Sequence, residues 1–160
     1  MCSKKPDRPL ASFARSFGYA ARGIGYCIRH ERNFRFHLIA ALYVLGIARH
    51  FMRSAAEWAV LLLTIALVLA AEIFNTAVEH AVDLTCTEQN THARIAKDAA
   101  AGAVLVCALG AVGVAVCLFA RFEVWGDLIA LWTAQWWRLV LLALSVPLNV
   151  WFIFHNKESL

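Results

Sequence analysis

The sequence predicts an all-α integral membrane protein, with an N-terminal amphipathic surface helix, three core transmembrane helices and a fourth C-terminal membrane helix. Hydrophobic residues make up 61% of the 160 residues and charged residues only 16%, whereas a soluble domain carries about 25% charged residues. Eight of the fifteen Lys and Arg residues precede residue 36. This excess of basic residues predicts that the N-terminus of a multi-pass protein lies in the cytoplasm.

The first segments differ in character. Residues 1–9 are polar and are expected to be disordered, and they lack the apolar region that a signal peptide requires. From Leu10 to Ile28, the side chains of Arg15, Arg22 and Arg29 recur every seven residues and so lie on one helical face. Apolar residues lie opposite, which predicts a basic amphipathic helix in the membrane interface.

Apolar stretches divide the middle of the chain. We predict spans over about 36–51, 58–83 and 99–120, with an external connection at 49–57, a polar cytoplasmic loop at 84–96 and a second external connection at 121–127. The third span begins with small residues and later contains Gly110 and Gly113. Small side chains would let neighbouring helices approach closely.

The stretch from Leu128 to Phe154 allows two interpretations. Its apolar part, 139–154, is short for a hydrocarbon core of about 30 Å, and it contains Pro147 and Asn149. Extending it backward would bury Arg138. We predict a fourth span within a membrane-associated extension at 121–160, and a bent interfacial helix is the alternative.

Several common functional patterns are missing from the sequence. The cysteines show neither CxxC spacing nor a zinc pattern, which predicts no disulfide framework; they are Cys2, Cys27, Cys86, Cys107 and Cys117. The sequence contains no Walker loop, no GxGxxG segment and no HExxH motif. We predict no nucleic-acid partner.

A polar stripe on the second span is the most unusual feature. At about 100° per residue, Glu72, Thr76, Glu79 and Asp83 fall on one helical face, and Asn75 lies beside them. One carboxylate in the hydrocarbon region costs about 2.5–3.5 kcal/mol on insertion scales, so a cluster of them requires an explanation. A structural polar seam between packed helices is one explanation. A metal or substrate site, which we favour, is the other.

The oxygen atoms of this stripe suit Mg²⁺, which proteins usually hold with one or two carboxylates plus substrate phosphates. Lys97 and Asp98 follow at the mouth of the third span, and a lysine suits phosphate as a point charge. Glu72 and Glu79 are separated by about 10.5 Å of helix rise, so they cannot share one metal. Another segment must complete a metal site near Glu79, while Glu72 lies deeper and could serve as general base to a substrate hydroxyl.

A dense polar turn from His30 to His37 precedes the first span and contains one acidic residue, Glu31. Taken alone, Glu31 is best interpreted as forming a salt bridge to Arg32 or Arg35 at the membrane surface. His30 and His37 are best interpreted as interfacial residues and not as ligands.

Three segments together resemble the prokaryotic diacylglycerol kinase / undecaprenol kinase family. They are Glu72-Ile-Phe-Asn75-Thr-Ala-Val-Glu79-His-Ala-Val-Asp83, then Ala96-Lys97-Asp98 with the small residues after it, and Gly18-Tyr19 to Gly23 with Glu31-Arg-Asn-Phe-Arg-Phe-His37. The resemblance extends over about residues 12–120. A lipid kinase membrane domain would therefore occupy residues 10–120.

The resemblance implies a small homotrimer of the bacterial inner membrane, which transfers the γ-phosphoryl group of ATP to a lipid hydroxyl in sites shared between subunits. It implies that Glu72 is the catalytic base and that Glu31 and Glu79 bind Mg²⁺, which replaces the salt-bridge interpretation of Glu31. The residues that it places near the nucleotide are Tyr19, Glu31, Asn75, Glu79, Asp83, Glu88, Lys97 and Asp98.

The choice of lipid and two departures from the family stay open to test. The Glu31 to His37 segment is closer to the undecaprenol kinase branch, so we predict undecaprenol as the acceptor, with diacylglycerol as the alternative. The extension at 121–160 exceeds the usual three-span core, and the loop at 84–96 is richer in Thr than expected. A non-catalytic scaffold or ion transporter is a third hypothesis, but it does not explain Lys97 and Asp98 beside the stripe.

Overall fold

The computed structural model describes residues 9–85 and 90–155. The described residues form α1 (Pro9–His30), α2 (Arg32–Phe51), α3 (Ala55–Thr85), α4 (Thr91–Phe119), α5 (Phe122–Thr133) and α6 (Trp136–Phe154). No strand occurs within these ranges, so the predicted all-α class is confirmed. The segment predicted to be disordered lies outside the described residues except for Pro9, which begins α1 at a position where its missing N–H costs no helical hydrogen bond.

Three helices, α3, α4 and α6, are long and apolar enough to cross a membrane. The second helix, α2, is not among them, because Arg32, Arg35 and Arg49 shorten its apolar part, and its crossing stays a prediction. The 31 residues of α3 correspond to about 46 Å of helix, against a hydrocarbon core of about 30 Å. One end of α3 therefore has length enough to project beyond the core.

The connections are shorter than predicted. α2 continues to Phe51 and α3 begins at Ala55. The Asn90 side chain caps α4 by accepting a hydrogen bond from the backbone N–H of His92 at 2.8 Å, so Lys97 and Asp98 lie inside the helix and not at its mouth. The segment predicted as a connection at 121–127 is helical from Phe122 onward, as the first part of α5, and apolar side chains of α5 pack against the core.

The buried apolar core lies where α2 and α4 end and α3 and α5 begin. Its buried members are Ala48, Phe51, Leu61, Leu118, Phe119 and Leu128. Arg121 closes it, since its guanidinium donates hydrogen bonds to the carbonyl of Phe51 and to the carboxylate of Glu57. We call this part of the bundle the Arg121 end.

The last helix, α6, is attached to α2 by polar contacts. The Asn149 side chain donates to the Tyr43 hydroxyl at 2.7 Å, and that hydroxyl lies 2.7 Å from Ser145 Oγ. Because Ser145 gives its own proton to the Leu142 carbonyl, Tyr43 is the donor in the Tyr43–Ser145 pair. The extension predicted at 121–160 is thus helical over most of its described length, and its last helix docks on α2.

The glycines of α4 are not in close contact with the other described helices of this chain. A methyl group added at Gly102, Gly110 or Gly113 would meet no atom within 4 Å. The predicted close approach of helices at these glycines therefore stays a prediction, and within this chain α3 and α4 form the most extensive helix pair of the described residues.

Candidate active site

The polar stripe of α3 lies at the opposite end of the bundle from Arg121, and we call this region the carboxylate end. Glu72 and Thr76 are buried there, with exposed fractions of 3% and 5%. The Thr76 hydroxyl donates to the main-chain carbonyl of Glu72 at 3.1 Å, a common way for a helical threonine to satisfy its proton. That bond leaves the Glu72 carboxylate itself to other partners.

His37 of α2 is a partner of the Glu72 carboxylate. Its Nε2 lies 3.2 Å from Glu72 Oε1. The interpretation of His37 as an interfacial residue did not include this contact with the most buried acid of the stripe. The signal in the sequence was indirect: a buried carboxylate requires a hydrogen-bond donor, and His37 is a donor at the same end of the neighbouring span.

Asn75 and Glu79 form a second polar pair one to two turns further along α3. The Asn75 Nδ2 donates to Glu79 Oε1 at 2.8 Å, which is favourable charge-assisted geometry. The other polar atom of this amide, Oδ1, is buried and has no hydrogen-bond partner. A buried carbonyl oxygen without a partner, next to a carboxylate, offers two oxygen donors of the kind that Mg²⁺ prefers.

Glu31 stands at the junction between α1 and α2. It is the N-cap residue of α2, but its side chain makes no capping hydrogen bond. The ion pairs between described residues join His37 to Glu72, Lys97 to Asp83 and Arg121 to Glu57, and none of these involves Glu31. Glu31 precedes His37 by six residues on the chain, and His37 contacts Glu72, so Glu31 lies at the same end of the bundle as Glu72 and Glu79.

The amphipathic helix α1 packs beside this neighbourhood. Cys27 is buried, and its thiol lies within hydrogen-bonding reach of the Thr76 side chain. Burial raises the pKa of the Cys27 thiol, so the group stays protonated and acts as a small packing residue. The Tyr26 ring meets the His80 ring edge to face at a centroid distance of 5.2 Å. Sequence analysis did not predict that α1 covers the stripe.

No disulfide is present among the described cysteines. Cys27, Cys107 and Cys117 are free thiols. Cys2 and Cys86 lie outside the described residues.

The remaining predicted nucleotide residues are spread along the edge of the carboxylate end. Lys97 Nζ pairs with Asp83 Oδ1 at 2.5 Å, which joins α4 to the end of α3. Asp98 is exposed on α4, and Tyr19 is exposed on α1 with the Arg22 guanidinium 4.8 Å from its ring centroid. Glu88 lies outside the described residues.

The described residues do not form a closed metal centre by themselves. Within 9–85 and 90–155, no three His, Cys, Asp or Glu side chains converge tightly enough to hold a metal ion. The arrangement does combine a shielded carboxylate, a pair of oxygen donors and a half-buried lysine paired with Asp83 at one end of an apolar helix bundle. Such a set can accept a proton from a substrate and can neutralise phosphate charge.

Comparisons with known proteins agree with this chemistry. Residues 18–119 match the sequence model of the family described as prokaryotic diacylglycerol kinase. The undecaprenol kinase of Bacillus subtilis (strain 168) is 44% identical over 109 residues, covering 68% of this chain and 89% of that protein. A diacylglycerol kinase of Synechocystis is 47% identical over 123 residues, covering 72% of this chain and 70% of that protein. A diacylglycerol kinase of Helicobacter pylori (strain J99) is 34% identical over 88 residues. The family match ends with α4, so α5 and α6 lie beyond it.

Proposed function

Because the chain belongs to the prokaryotic diacylglycerol kinase family and is a multi-pass membrane lipid kinase, we propose that it phosphorylates undecaprenol at the expense of ATP. The observation that carries the proposal is the Glu72 carboxylate, which is buried in an apolar bundle and reaches the boundary of the polar cluster. A base at this depth meets a hydroxyl group that arrives from the bilayer, whereas a soluble acceptor would need an aqueous route.

In the proposed reaction, the Glu72 carboxylate takes the proton of the lipid hydroxyl. The hydroxyl oxygen forms a bond to the γ-phosphorus of ATP, and the bond from that phosphorus to the β,γ-bridging oxygen breaks. The electron pair of that bond leaves with ADP, and the product is undecaprenyl phosphate. Phosphoryl transfer of this kind depends mainly on positioning and on charge neutralisation, which a fold without a Walker loop can supply.

Glu79 and Glu31 would hold Mg²⁺ together with the phosphates of the nucleotide. The orphan Oδ1 of Asn75 beside Glu79 supports an oxygen-rich cation site. The ion would neutralise phosphate charge when bound. Asn75, Asp83, Lys97 and Asp98 would contact the nucleotide from the same end of the bundle, with Tyr19 on α1 and Glu88 from the segment after α3.

We further propose a cytoplasmic N-terminus, an inner-membrane location and a homotrimer with shared sites. Basic residues concentrate at the carboxylate end, in line with the rule that Lys and Arg mark the cytoplasmic side. In the single chain, α3 and α4 leave large apolar side chains uncovered, such as Phe74 and Val106 with exposed fractions of 72% and 70%. Lipid and neighbouring subunits would cover them, and a neighbour could complete the metal site.

Diacylglycerol is the second candidate acceptor. The Synechocystis relative is a diacylglycerol kinase of slightly higher identity than the B. subtilis undecaprenol kinase, so identity alone does not favour either lipid. We favour undecaprenol on the form of the segment from Glu31 to His37. Membership of a kinase family favours an enzyme over the scaffold or transporter hypothesis.

The deciding experiment is a kinase assay on the purified full chain in mixed micelles. It supplies ATP and Mg²⁺ with undecaprenol or diacylglycerol, and it compares kcat/KM for the two lipids. We expect a higher kcat/KM for undecaprenol. A higher kcat/KM for diacylglycerol would make it the assigned acceptor in place of undecaprenol. Absence of phosphorylation of both lipids would refute the proposal.

A further inference from the structure

His37 is the residue at the carboxylate end whose position most affects the proposed base. It lies on α2, six residues after Glu31, and its Nε2 contacts Glu72 Oε1 at 3.2 Å. The side chain of Glu72 is 4% exposed and that of His37 is 21% exposed. Water therefore has little access to the carboxylate, and the imidazole Nε2 lies at a distance from which it can donate a hydrogen bond to it.

The surroundings of His37 offer no evident substitute for that bond. The imidazole borders a cavity of about 120 Å³ between α2, α3 and α4, whose other lining side chains are almost all aliphatic, including Ala41, Val44 and Val68. Thr64 also lines it, but its hydroxyl donates to the Val60 carbonyl at 2.7 Å. If the imidazole were removed, none of the other residues that line the cavity would offer a side-chain donor in its place.

We propose that His37 is a positioning residue for phosphoryl transfer, which donates its Nε2–H to Glu72 Oε1 and fixes the orientation of the carboxylate. This inference rests on the proposed function. A glutamate side chain has several staggered conformations of similar energy, and few of them direct an oxygen at a given hydroxyl. With one oxygen bound to His37, the other is held to accept the proton of the lipid hydroxyl, and His37 keeps its own proton throughout.

The first test compares His37→Leu with His37→Gln in the full chain, with ATP, Mg²⁺ and undecaprenol in mixed micelles. Leu removes the donor, whereas the Gln amide places an N–H near the position of Nε2. We expect kcat to fall about 10–100-fold for His37→Leu, as it does when the partners that orient a reactive group are lost, with the KM for ATP almost unchanged. His37→Gln should recover most of the lost turnover.

The second test measures coupling between the two residues. If His37 acts through Glu72, the double variant His37→Leu/Glu72→Gln should be no slower than Glu72→Gln alone, because residues that act as a unit are not additive. A further 10–100-fold loss in the double variant, or equal losses for His37→Leu and His37→Gln, would overturn the proposal.

A matched control uses the other histidine of α2. His50 lies near the Arg121 end and accepts a hydrogen bond from Arg49 Nε at 3.2 Å. His50→Leu makes the same chemical change on the same helix and should leave kcat unchanged.

If His37→Leu does not fold, His37→Gln and His37→Asn are compared instead. The shorter Asn side chain cannot reach the Nε2 position, so His37→Asn should have a lower kcat than His37→Gln. An active wild type with fully active His37 variants would refute the inference alone. An inactive wild type would refute the proposed function.

Discussion

The two ends of the helical bundle differ in how fully the protein's own donors occupy the carboxylate oxygens. At the Arg121 end, Glu57 accepts hydrogen bonds from the backbone N–H of Arg53 at 2.6 Å and of Ser54 at 3.2 Å. Its other oxygen accepts from the Arg121 guanidinium. Both oxygens of Glu57 are thus bound by donors that belong to the fold, and Arg121 is further fixed by the Phe51 carbonyl.

At the carboxylate end, the acids keep oxygen atoms available. Glu72 contacts His37 through Oε1, and Glu79 accepts from Asn75 through Oε1. Glu31 makes no capping bond with the helix that it begins. Acids that serve only stability are expected to be saturated by protein donors, so the comparison supports a structural role for Glu57 and the proposed ligand-binding role for the other end.

The largest expected effect tests the base itself. Glu72→Gln keeps the size of the side chain and can retain the contact with His37, but it cannot accept the substrate proton. We expect kcat to fall about 100–10,000-fold, the usual contribution of a general base, with little change in the KM for ATP. Initial rates with undecaprenol measure it. Full turnover in Glu72→Gln would assign the base to another group.

The matched variant at the other end is Glu57→Gln. It makes the same chemical change in a carboxylate that the fold saturates, so kcat should stay within about twofold of the wild type once folded protein is compared. A large loss of kcat here would remove the functional distinction between the two ends.

The next effect concerns the cation. Glu79→Gln removes the charge beside the orphan Asn75 oxygen and should raise the Mg²⁺ concentration for half-maximal rate about 10–100-fold, or abolish activity, while the melting temperature stays near that of the wild type. A magnesium titration at saturating ATP measures the shift. An unchanged magnesium requirement would mean that Glu79 does not bind the metal.

At the Arg121 end, a comparable change should affect stability and not turnover. Arg121→Met removes the donor that joins Glu57 to the Phe51 carbonyl, and it leaves both acceptors without that partner. Loss of hydrogen bonds to a charged group is destabilising, so we expect the melting temperature in detergent to fall by several degrees with kcat little changed. A fall in kcat at unchanged stability would mean that this end contributes to catalysis.

The sequence predicted the helices and the stripe well, because both depend on local pattern. The apolar runs of α3 and α4 and the spacing of Glu72 and Glu79 are properties of a single segment. The contact of His37 with Glu72 and the cover that α1 places over Thr76 join segments that are distant in the chain. Their geometry depends on how whole helices pack, which periodicity does not specify.

The same limit explains the errors at the connections. The residues at 121–127 indicated a connection of unspecified structure, but α5 begins at Phe122 because Val124, Trp125 and Leu128 pack on the core at the Arg121 end. Tertiary burial there outweighs the local polar pattern. A metal-binding role for Glu31 could be inferred only through family resemblance, since one acid among arginines has no distinctive spacing and suggests a surface salt bridge.

The smallest expected effect lies in the contact between α6 and α2, outside the region that matches the family. Asn149→Leu removes the bond to the Tyr43 hydroxyl, but Tyr43 still donates to Ser145. Ser145→Ala takes away the acceptor of the Tyr43 proton and should therefore destabilise more than Asn149→Leu. Hydrogen bonds between membrane helices contribute about 0.6 kcal/mol on average, so each shift in melting temperature should be small, with kcat within about twofold of the wild type. If Asn149→Leu instead lowered kcat strongly at unchanged stability, α6 would influence the carboxylate end through α2. The contrast between a catalytic end and a structural end would then have to include α6.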